Sequence, residues 1–197
     1  ATAITAARRI NDELGVGARH ITISTVGLVK GINKLQADPL QVTLAVSLHQ
    51  ATDEARSEIM PVNRRYDLEA LMTSVRDYQK ATRRRVTFEW AAIAGENDDV
   101  DTAKTLGRLL RKHHIKDAHV NVIPLNPTGG FRGKKAKNNA VTSFCKTLEA
   151  EFGYSATPRV RRGIDIDAGC GQLTTSVLHA QADSDEQAPG RYSGTRA

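Results

Sequence analysis

Polar side chains lie at or just beyond the carboxyl ends of several predicted strands of this chain. They are hydroxyl, imidazole and amide side chains with one apolar neighbour, namely Ser24, Ser47, Leu48, His49 and Asn126. Because the carboxyl ends of parallel strands meet at one edge of a sheet, we expect these residues to lie close together. Together they could bind a polar small molecule that carries ribose, amino and carboxylate groups. Each residue alone is also a common turn former or helix cap, so both interpretations stay open at this point.

A carboxylate, Glu89, interrupts the otherwise apolar predicted strand over 85–93. An unpaired buried carboxylate is costly, so Glu89 must either be paired or face a cleft. One interpretation is a structural ion pair with Arg56 or Arg84, and the other is a functional role.

A second candidate for chemistry is Cys170, which is flanked by two glycines within the segment 159–173. Glycine neighbours let a substrate approach the thiol closely. Two nearby arginines, Arg161 and Arg162, would lower the thiol pKa, whereas two nearby aspartates would oppose that effect. The alternative is a buried structural cysteine.

A basic loop over 129–137 could contact the phosphates of a nucleic acid. The alternative is an ordinary solvated loop. The candidate RNA-binding cations of this loop and of the cysteine segment are Arg132, Lys134, Lys135, Lys137, Arg161 and Arg162.

The elements that must position these groups alternate along the chain. Strands are predicted over 20–26, 41–48, 85–93, 118–125 and 157–161, and helices over 4–14, 67–81, 100–113 and 136–152. Alternation of this kind is typical of βα units around a parallel sheet. Four such units predict either a doubly wound sheet or part of a βα barrel, because a closed eight-stranded barrel needs about 250 residues.

Composition narrows the function classes. The 197 residues suffice for one domain with a sizeable core, which is predicted over 1–181. The stretch 182–197 is predicted to be a flexible tail. The net charge of +6 favours a polyanionic partner. Two cysteines exclude a disulfide scaffold and an all-cysteine metal site within this chain, and they fit a reducing compartment, cytoplasmic or organellar. No apolar run reaches the ~20 residues of a membrane span, so no membrane partner is expected.

Six segments of the sequence resemble one known family. They are RHITISTVG at 19–27, LAVSLH at 44–49, DEARSEIMP at 53–61, RRVTFEW at 84–90, HVNVIPLNP at 119–127 and RGIDIDAGCGQL at 162–173. In this order they resemble the carboxy-terminal half of the RlmN-like radical S-adenosylmethionine methyltransferases, which act on adenine C2 of rRNA and tRNA. The resemblance covers about residues 5–175.

The resemblance implies an α/β fold, a partial βα barrel of the radical S-adenosylmethionine type. It implies that Ser24, Ser47, Leu48, His49 and Asn126 contact S-adenosylmethionine. It also implies that Cys170 is first methylated on sulfur, that a 5′-deoxyadenosyl radical abstracts hydrogen from that methyl group, and that the methylene radical adds to adenine C2. In this family a second cysteine then resolves the link between the sulfur and the methylene carbon. Cys145 does not match that second cysteine.

Two family motifs are not found in this chain: the cysteine triplet that binds a [4Fe–4S] cluster, and a glycine-glutamate motif that binds the cofactor's amino group. Both precede the matching region in the family, so a cluster is expected only if an amino-terminal half is supplied. We therefore expect part of a large-subunit rRNA and tRNA methyltransferase. The alternative is an inactive relative retained as an RNA-binding component of a ribosome or an assembly intermediate. The expected partners are large-subunit rRNA, tRNA, ribosomal proteins or the complementary half.

Overall fold

The computed structural model describes residues 2–125 and 133–159. Six of the predictions made above therefore lie outside the described residues. They concern Asn126, Arg132, Arg161, Arg162, Cys170 and the tail 182–197.

Six α-helices and five strands alternate in the described part of the chain. In order they are α1 (Thr2–Leu14), β1 (Thr22–Thr25), α2 (Val29–Gln36), β2 (Thr43–Ser47), α3 (Asp53–Ile59), α4 (Leu68–Thr82), β3 (Val86–Ala92), α5 (Val100–Lys112), β4 (Ala118–Pro124), α6 (Asn138–Phe152) and β5 (Ser155–Pro158). All nine predicted elements are confirmed, although β5 begins two residues earlier than predicted. The short helices α2 and α3 were not predicted.

Local sequence explains where several helices begin and end. The side chains of Thr52, Asp67 and Asp99 each accept a hydrogen bond from a backbone N–H in the first turn of α3, α4 and α5. These side chains satisfy a donor that the helix itself leaves free. At the carboxyl end of α6, Gly153 adopts the left-handed conformation that commonly terminates a helix.

The five strands form one parallel sheet in the order β1-β2-β3-β4-β5. Because crossovers between parallel strands are right-handed, strands added in sequence order place all connecting helices on the same face. A doubly wound sheet would instead reverse its strand order and carry helices on both faces. The fold is therefore an α/β arc of the partial-barrel type.

The hydrophobic core lies between the sheet and the helices. Alternate residues of each strand face it, so that Val86, Phe88, Trp90 and Ala92 of β3 are all buried. The Trp90 ring packs against Phe144 of α6 at 5.3 Å between centroids. Within the described ranges, no helix combines the length and the apolar character that crossing a bilayer would require.

Candidate functional site

The sheet face that points away from the helices is polar. We call it the inner face. Its middle row runs across four strands in register, and its members are Ser47, Glu89, Asn121 and Thr157. A second row, displaced toward the amino ends of the strands, contains Ser24, Ala45, Thr87, His119 and Ser155.

A parallel sheet normally has both faces covered by apolar packing. Here the β3 and β4 residues of the inner face are half-buried, whereas their neighbours on the other face are buried. Barrel strands deliver inward-pointing side chains in such rows. The inner face is therefore the surface of this arc that is chemically equipped to bind a polar ligand.

A chain of hydrogen bonds connects the polar groups of the inner face. Asn121 Nδ2 donates to Glu89 Oε1 at 3.0 Å, and Asn121 Oδ1 lies 2.9 Å from His119 Nε2. His119 also contacts the hydroxyls of Ser155 and Thr157, each at 3.0 Å. Because these side chains hold one another, the carboxylate of Glu89 has a fixed orientation.

The other carboxylate oxygen of Glu89 is unusual. Glu89 Oε2 is shielded from solvent and has no hydrogen-bond partner among the described residues. The nearest cation is Arg159, whose Nη1 lies 4.0 Å away. The expectation that Arg56 or Arg84 pairs with Glu89 was wrong. A buried carboxylate oxygen of this kind favours a hydrogen-bond donor supplied by a ligand.

Arg56 binds backbone carbonyls at the ends of two strands instead. Its guanidinium is fully buried and donates to the carbonyls of Val26, Ser47 and Leu48 at 2.8, 3.2 and 3.1 Å. It also donates to Asn63 Oδ1 at 2.8 Å. Burial lowers the pKa of Arg56, but a guanidinium remains protonated in proteins. Arg56 thus joins the carboxyl ends of β1 and β2.

The glycine that follows β1 makes room for this guanidinium. Gly27 has φ +104°, and a Cβ at this position would lie 3.1 Å from Arg56 Nη2 and 3.3 Å from Leu71 Cδ2. Both the backbone conformation and the close approach therefore require glycine.

His49 lies immediately after β2, at the rim of the inner face, with φ +60°. Its Nδ1 accepts a hydrogen bond from the Ala91 N–H at 3.0 Å. Burial, with a smaller contribution from the charge of Arg56, lowers the pKa of His49 to about 4. The imidazole is therefore neutral at physiological pH. Since Nδ1 is an acceptor, the proton resides on Nε2, which is a potential donor to a ligand.

Asn97 also organises this rim, although it was not among the predicted site residues. The Asn97 side chain is fully buried. It donates to the carbonyls of His49 and Ala91 at 2.8 and 2.9 Å and accepts from the Ile93 N–H at 2.7 Å. The only available signal was an amide residue a few positions after a strand end, which is common in turns.

The remaining predicted cofactor-binding residues differ in accessibility. Ser24 is exposed and helps line a cavity of about 200 Å³ between α1, β1 and α2. Ser47 is half-buried in the middle row. Leu48 is 0% exposed, and its N–H donates to the Glu89 carbonyl at 3.0 Å. Its side chain belongs to the core, so a ligand contact by Leu48 would have to involve the main chain.

Part of the predicted basic loop is attached to this same end of the sheet. Lys134, Lys135 and Lys137 are exposed. The Ala94 N–H donates to the Lys134 carbonyl at 2.8 Å, and Lys135 forms an antiparallel bridge with Ile93 just beyond β3. Three cations are thus held near the rim that carries His49.

The described residues contain no cluster of His, Cys, Asp and Glu side chains that could bind a metal ion. Cys145 is 4% exposed and faces the core from α6, as predicted. Burial, assisted by the charge of Glu149, raises the pKa of its thiol to about 11. Cys145 is therefore a thiol at neutral pH and is unsuited to bind a metal as a thiolate.

The sequence and the fold were also compared with those of known proteins. No model of a protein family matches the chain. The chain is 49% identical over 164 residues to dual-specificity RNA methyltransferase RlmN 1 of Myxococcus xanthus, which covers 83% of this chain and 45% of that protein. It is 45% identical over 165 residues to ribosomal RNA large subunit methyltransferase N of Nitrosopumilus maritimus, again covering 83% and 45%.

A crystal structure of a radical SAM methyltransferase from Sphaerobacter thermophilus superimposes with a TM-score of 0.80 at 44% identity. The match covers 86% of this chain and 49% of that one. The chain thus spans about half the length of the relatives it matches.

Proposed function

This chain is homologous to about half of an RlmN-type RNA methyltransferase, and from that premise we propose that it is part of an enzyme that methylates adenine C2 of large-subunit rRNA and tRNA. The observation that carries the proposal is the inner face. It is a polar, half-buried surface on the arc that superimposes on a radical SAM methyltransferase. The half-buried carboxylate, imidazole and amide groups there can bind a polar ligand, and Glu89 Oε2 lacks a hydrogen-bond partner among the described residues.

The inner face suits S-adenosylmethionine chemically. This cofactor carries ribose hydroxyls, an adenine amino group and an ammonium group, which are all hydrogen-bond donors. The hydroxyls of Ser24 and Ser47 can accept such bonds or donate them, and His49 Nε2 can donate one. We also assign to Glu89 Oε2, which has no hydrogen-bond partner among the described residues and only the distant Arg159 as a counter-charge, the role of accepting a donor from the bound molecule. Asn126 is proposed as a further contact on the basis of the resemblance alone.

An iron-sulfur cluster does not fit the described residues. The family's mode of binding uses three thiolates, whereas the full sequence contains two cysteines. One of these, Cys145, is buried with a raised thiol pKa. The cluster's ligands would have to come from polypeptide outside this sequence, so we derive no step of the reaction through it.

We assign to Cys170 the role of accepting the methyl carbon and passing it to the RNA base. Adenine C2 is an unactivated aromatic carbon, which an ordinary methyl-cation transfer does not reach, so radical chemistry is required. S-adenosylmethionine supplies that chemistry when bound. The role of this chain is to hold the base, the cofactor and the Cys170 thiol in one place.

The test is to combine this chain anaerobically with S-adenosylmethionine as the methyl donor and with a polypeptide that carries the family's cysteine triplet, and then to digest it for mass spectrometry. We expect S-methylcysteine at Cys170 in the wild type and in Cys145→Ser, but not in Cys170→Ser. An unmodified thiol at position 170 in the wild type, under conditions where the reconstituted cluster is intact, would refute the proposal.

The basic segment at the rim, with the exposed Lys134, Lys135 and Lys137, favours a second candidate function. In it the chain is an inactive relative that binds ribosomal RNA. RNA binding would then be salt-sensitive and would survive Cys170→Ala, since the thiol has no role. Loss of RNA binding in that variant, with the fold intact by circular dichroism, would exclude this candidate.

A further inference from the structure

A second basic surface lies at the opposite end of the sheet from His49. A cavity of about 280 Å³ opens where α4 ends and where β3 and β4 begin. We call it the lower cavity. Its charged lining includes Arg76, Lys80, Arg83, Arg84, Lys116 and Asp117.

The charge around the lower cavity is strongly unbalanced. Five arginine and lysine residues line it, against one carboxylate. That carboxylate, Asp117, is 3.5 Å from Arg85, and Arg76 pairs with its neighbour Asp77 at 3.0 Å. The other four cations, Lys80, Arg83, Arg84 and Lys116, have no ion pair among the described residues. Together they give this surface an excess of positive charge that favours an anion.

The dipole of a helix explains the position of only some of the cations around the lower cavity. The carboxyl end of a helix favours a cation in its last turn, which explains Lys80 near the end of α4. It does not explain Arg84 and Lys116, which lie beyond their helices in the connections to β3 and β4.

Arg83 is an especially informative member of the cluster. It ends α4 in the left-handed conformation, with φ +53°. Glycine adopts this conformation freely, whereas a residue with a Cβ is strained in it. Arginine at such a position makes the fold less stable than glycine would. A contact between its guanidinium and a ligand would explain why arginine is present there.

We propose that the lower cavity binds a phosphodiester group of the RNA substrate. This inference rests on the proposed function and extends it by a second RNA contact. Two consecutive arginines at the mouth, Arg83 and Arg84, suit the bidentate recognition of phosphate oxygens. The volume of about 280 Å³ is just below the usual range of ligand pockets, about 300–1,000 Å³, and suits a phosphate with its sugar better than a large ligand.

The two basic surfaces are separated by the length of the strands. The seven residues of β3 span about 23 Å at the usual rise of a strand. A folded RNA that presents one base at the rim of the inner face is large enough to reach the other end of the sheet as well. The lower cavity would fix the register of the RNA without reading its sequence.

The experiment measures binding of an unmodified tRNA transcript to the full chain by fluorescence anisotropy at several KCl concentrations. The test variant is Arg83→Gly/Arg84→Gln. We expect the Kd to rise roughly 10-fold at moderate salt, and the slope of log K against log[KCl] to become shallower by about one for each lost phosphate contact. Because Arg83→Gly relieves a strained backbone, the melting temperature should stay the same or rise.

A matched control removes the same charge elsewhere. Arg108→Gln/Lys146→Gln changes two exposed cations on α5 and α6, and it should leave the salt dependence close to that of the wild type. Equal effects in the test and control variants would overturn the proposal, because only net charge would then matter. Poly-glutamate binding as strongly as the RNA would overturn it in favour of an acidic protein partner.

Two further outcomes separate this inference from the proposed function. If Lys134→Gln/Lys135→Gln abolishes RNA binding while the test variant binds as the wild type does, the lower cavity is not an RNA contact. Failure of the wild type to bind RNA also refutes the cavity proposal. Failure of the proposed function would instead be seen as an unmethylated Cys170 in the reconstituted enzyme.

Discussion

At the scale of single residues, His49 combines a strained backbone, a half-buried ring and a place at the rim of the inner face. Its φ of +60° is uncommon for a residue with a side chain. The hydrogen bond from the Ala91 N–H to Nδ1 holds the ring in one orientation. The site therefore depends on the neutral form of this imidazole, and that dependence can be measured as a function of pH.

Acid should destabilise the protein through His49. Its pKa is about 4 in the folded chain and about 6.5 in an unfolded one, so its contribution is complete above pH 6.5. As the pH falls from about 6.5 to about 4, the unfolded chain takes up the proton first. We expect the free energy of unfolding to fall by roughly 2–3 kcal/mol over this window, as measured by urea denaturation.

Substitution of His49 tests this assignment. Asparagine tolerates the left-handed conformation and does not titrate, so His49→Asn should flatten the pH dependence between 6.5 and 4. Part of the slope will remain, because burial also lowers the pKa of His113. His20→Asn, at an exposed site, is the control. An unchanged slope in His49→Asn would show that His49 does not carry the effect.

Arg56 gives a second prediction at this scale. Lysine retains the positive charge but cannot donate to the carbonyls of Val26, Ser47 and Leu48 together. Arg56→Lys should lower the free energy of unfolding by about 3 kcal/mol, because buried carbonyls lose their donors. The exposed Arg64→Lys should cost less than about 0.5 kcal/mol. Equal stability of the two variants would mean that the bonds of Arg56 contribute nothing net.

Local sequence patterns identify several residues of the site, but they do not identify the residues that pair with them. Ser47 ends β2 and His49 lies two residues beyond it, and strand ends can be predicted from local patterns. Glu89 was identified because a carboxylate in an apolar strand demands a partner. Its hydrogen-bond partner, Asn121, lies on the neighbouring strand, and the cation that approaches it, Arg159, follows β5. Which residues meet across strands depends on register, which no local pattern contains.

At the scale of elements, local features could again be predicted, whereas the pairing between elements could not. Long periodic helices such as α4 were predicted because their apolar stripe is several turns long. Helices α2 and α3, with eight and seven residues, are too short to show a stripe reliably. The strand order could not be decided from the sequence either. The alternation of strands and helices is the same in a doubly wound sheet and in a barrel arc, and only the pairing of strands separates them.

Asn97 provides the prediction at the element scale, because it ties the end of β2 to the end of β3. Asn97→Ala removes the partners of the His49 and Ala91 carbonyls and of the Ile93 N–H. Leaving buried polar groups unpaired should lower the free energy of unfolding by about 2–4 kcal/mol. Amide hydrogen exchange should accelerate at Ile93 before it does so in the middle of β3.

The exposed Asn138→Ala serves as the control for this variant. It should change the stability by less than about 0.5 kcal/mol. Unaltered exchange at Ile93 in Asn97→Ala would contradict the role of Asn97 in joining the two strands.

At the scale of the whole molecule, the helices and the polar groups divide the sheet between them. One face is buried under the helices and supplies the hydrophobic core. The other carries rows of hydroxyl, carboxylate and imidazole groups in register. The fold can therefore be stable on its helical side while its inner face remains free to bind a ligand.

The most direct test of the account is an amide NMR titration of the full chain with S-adenosylhomocysteine, which shares the nucleoside and amino-acid groups of the cofactor. We expect shifts that saturate together at Ser24, at Ser47 to His49 and around Glu89, and that weaken in Glu89→Gln. Amides of α5 and α6, on the helical side of the sheet, should not move. Shifts confined to the helices, or none at millimolar ligand, would contradict the claim that the inner face is the ligand-binding surface.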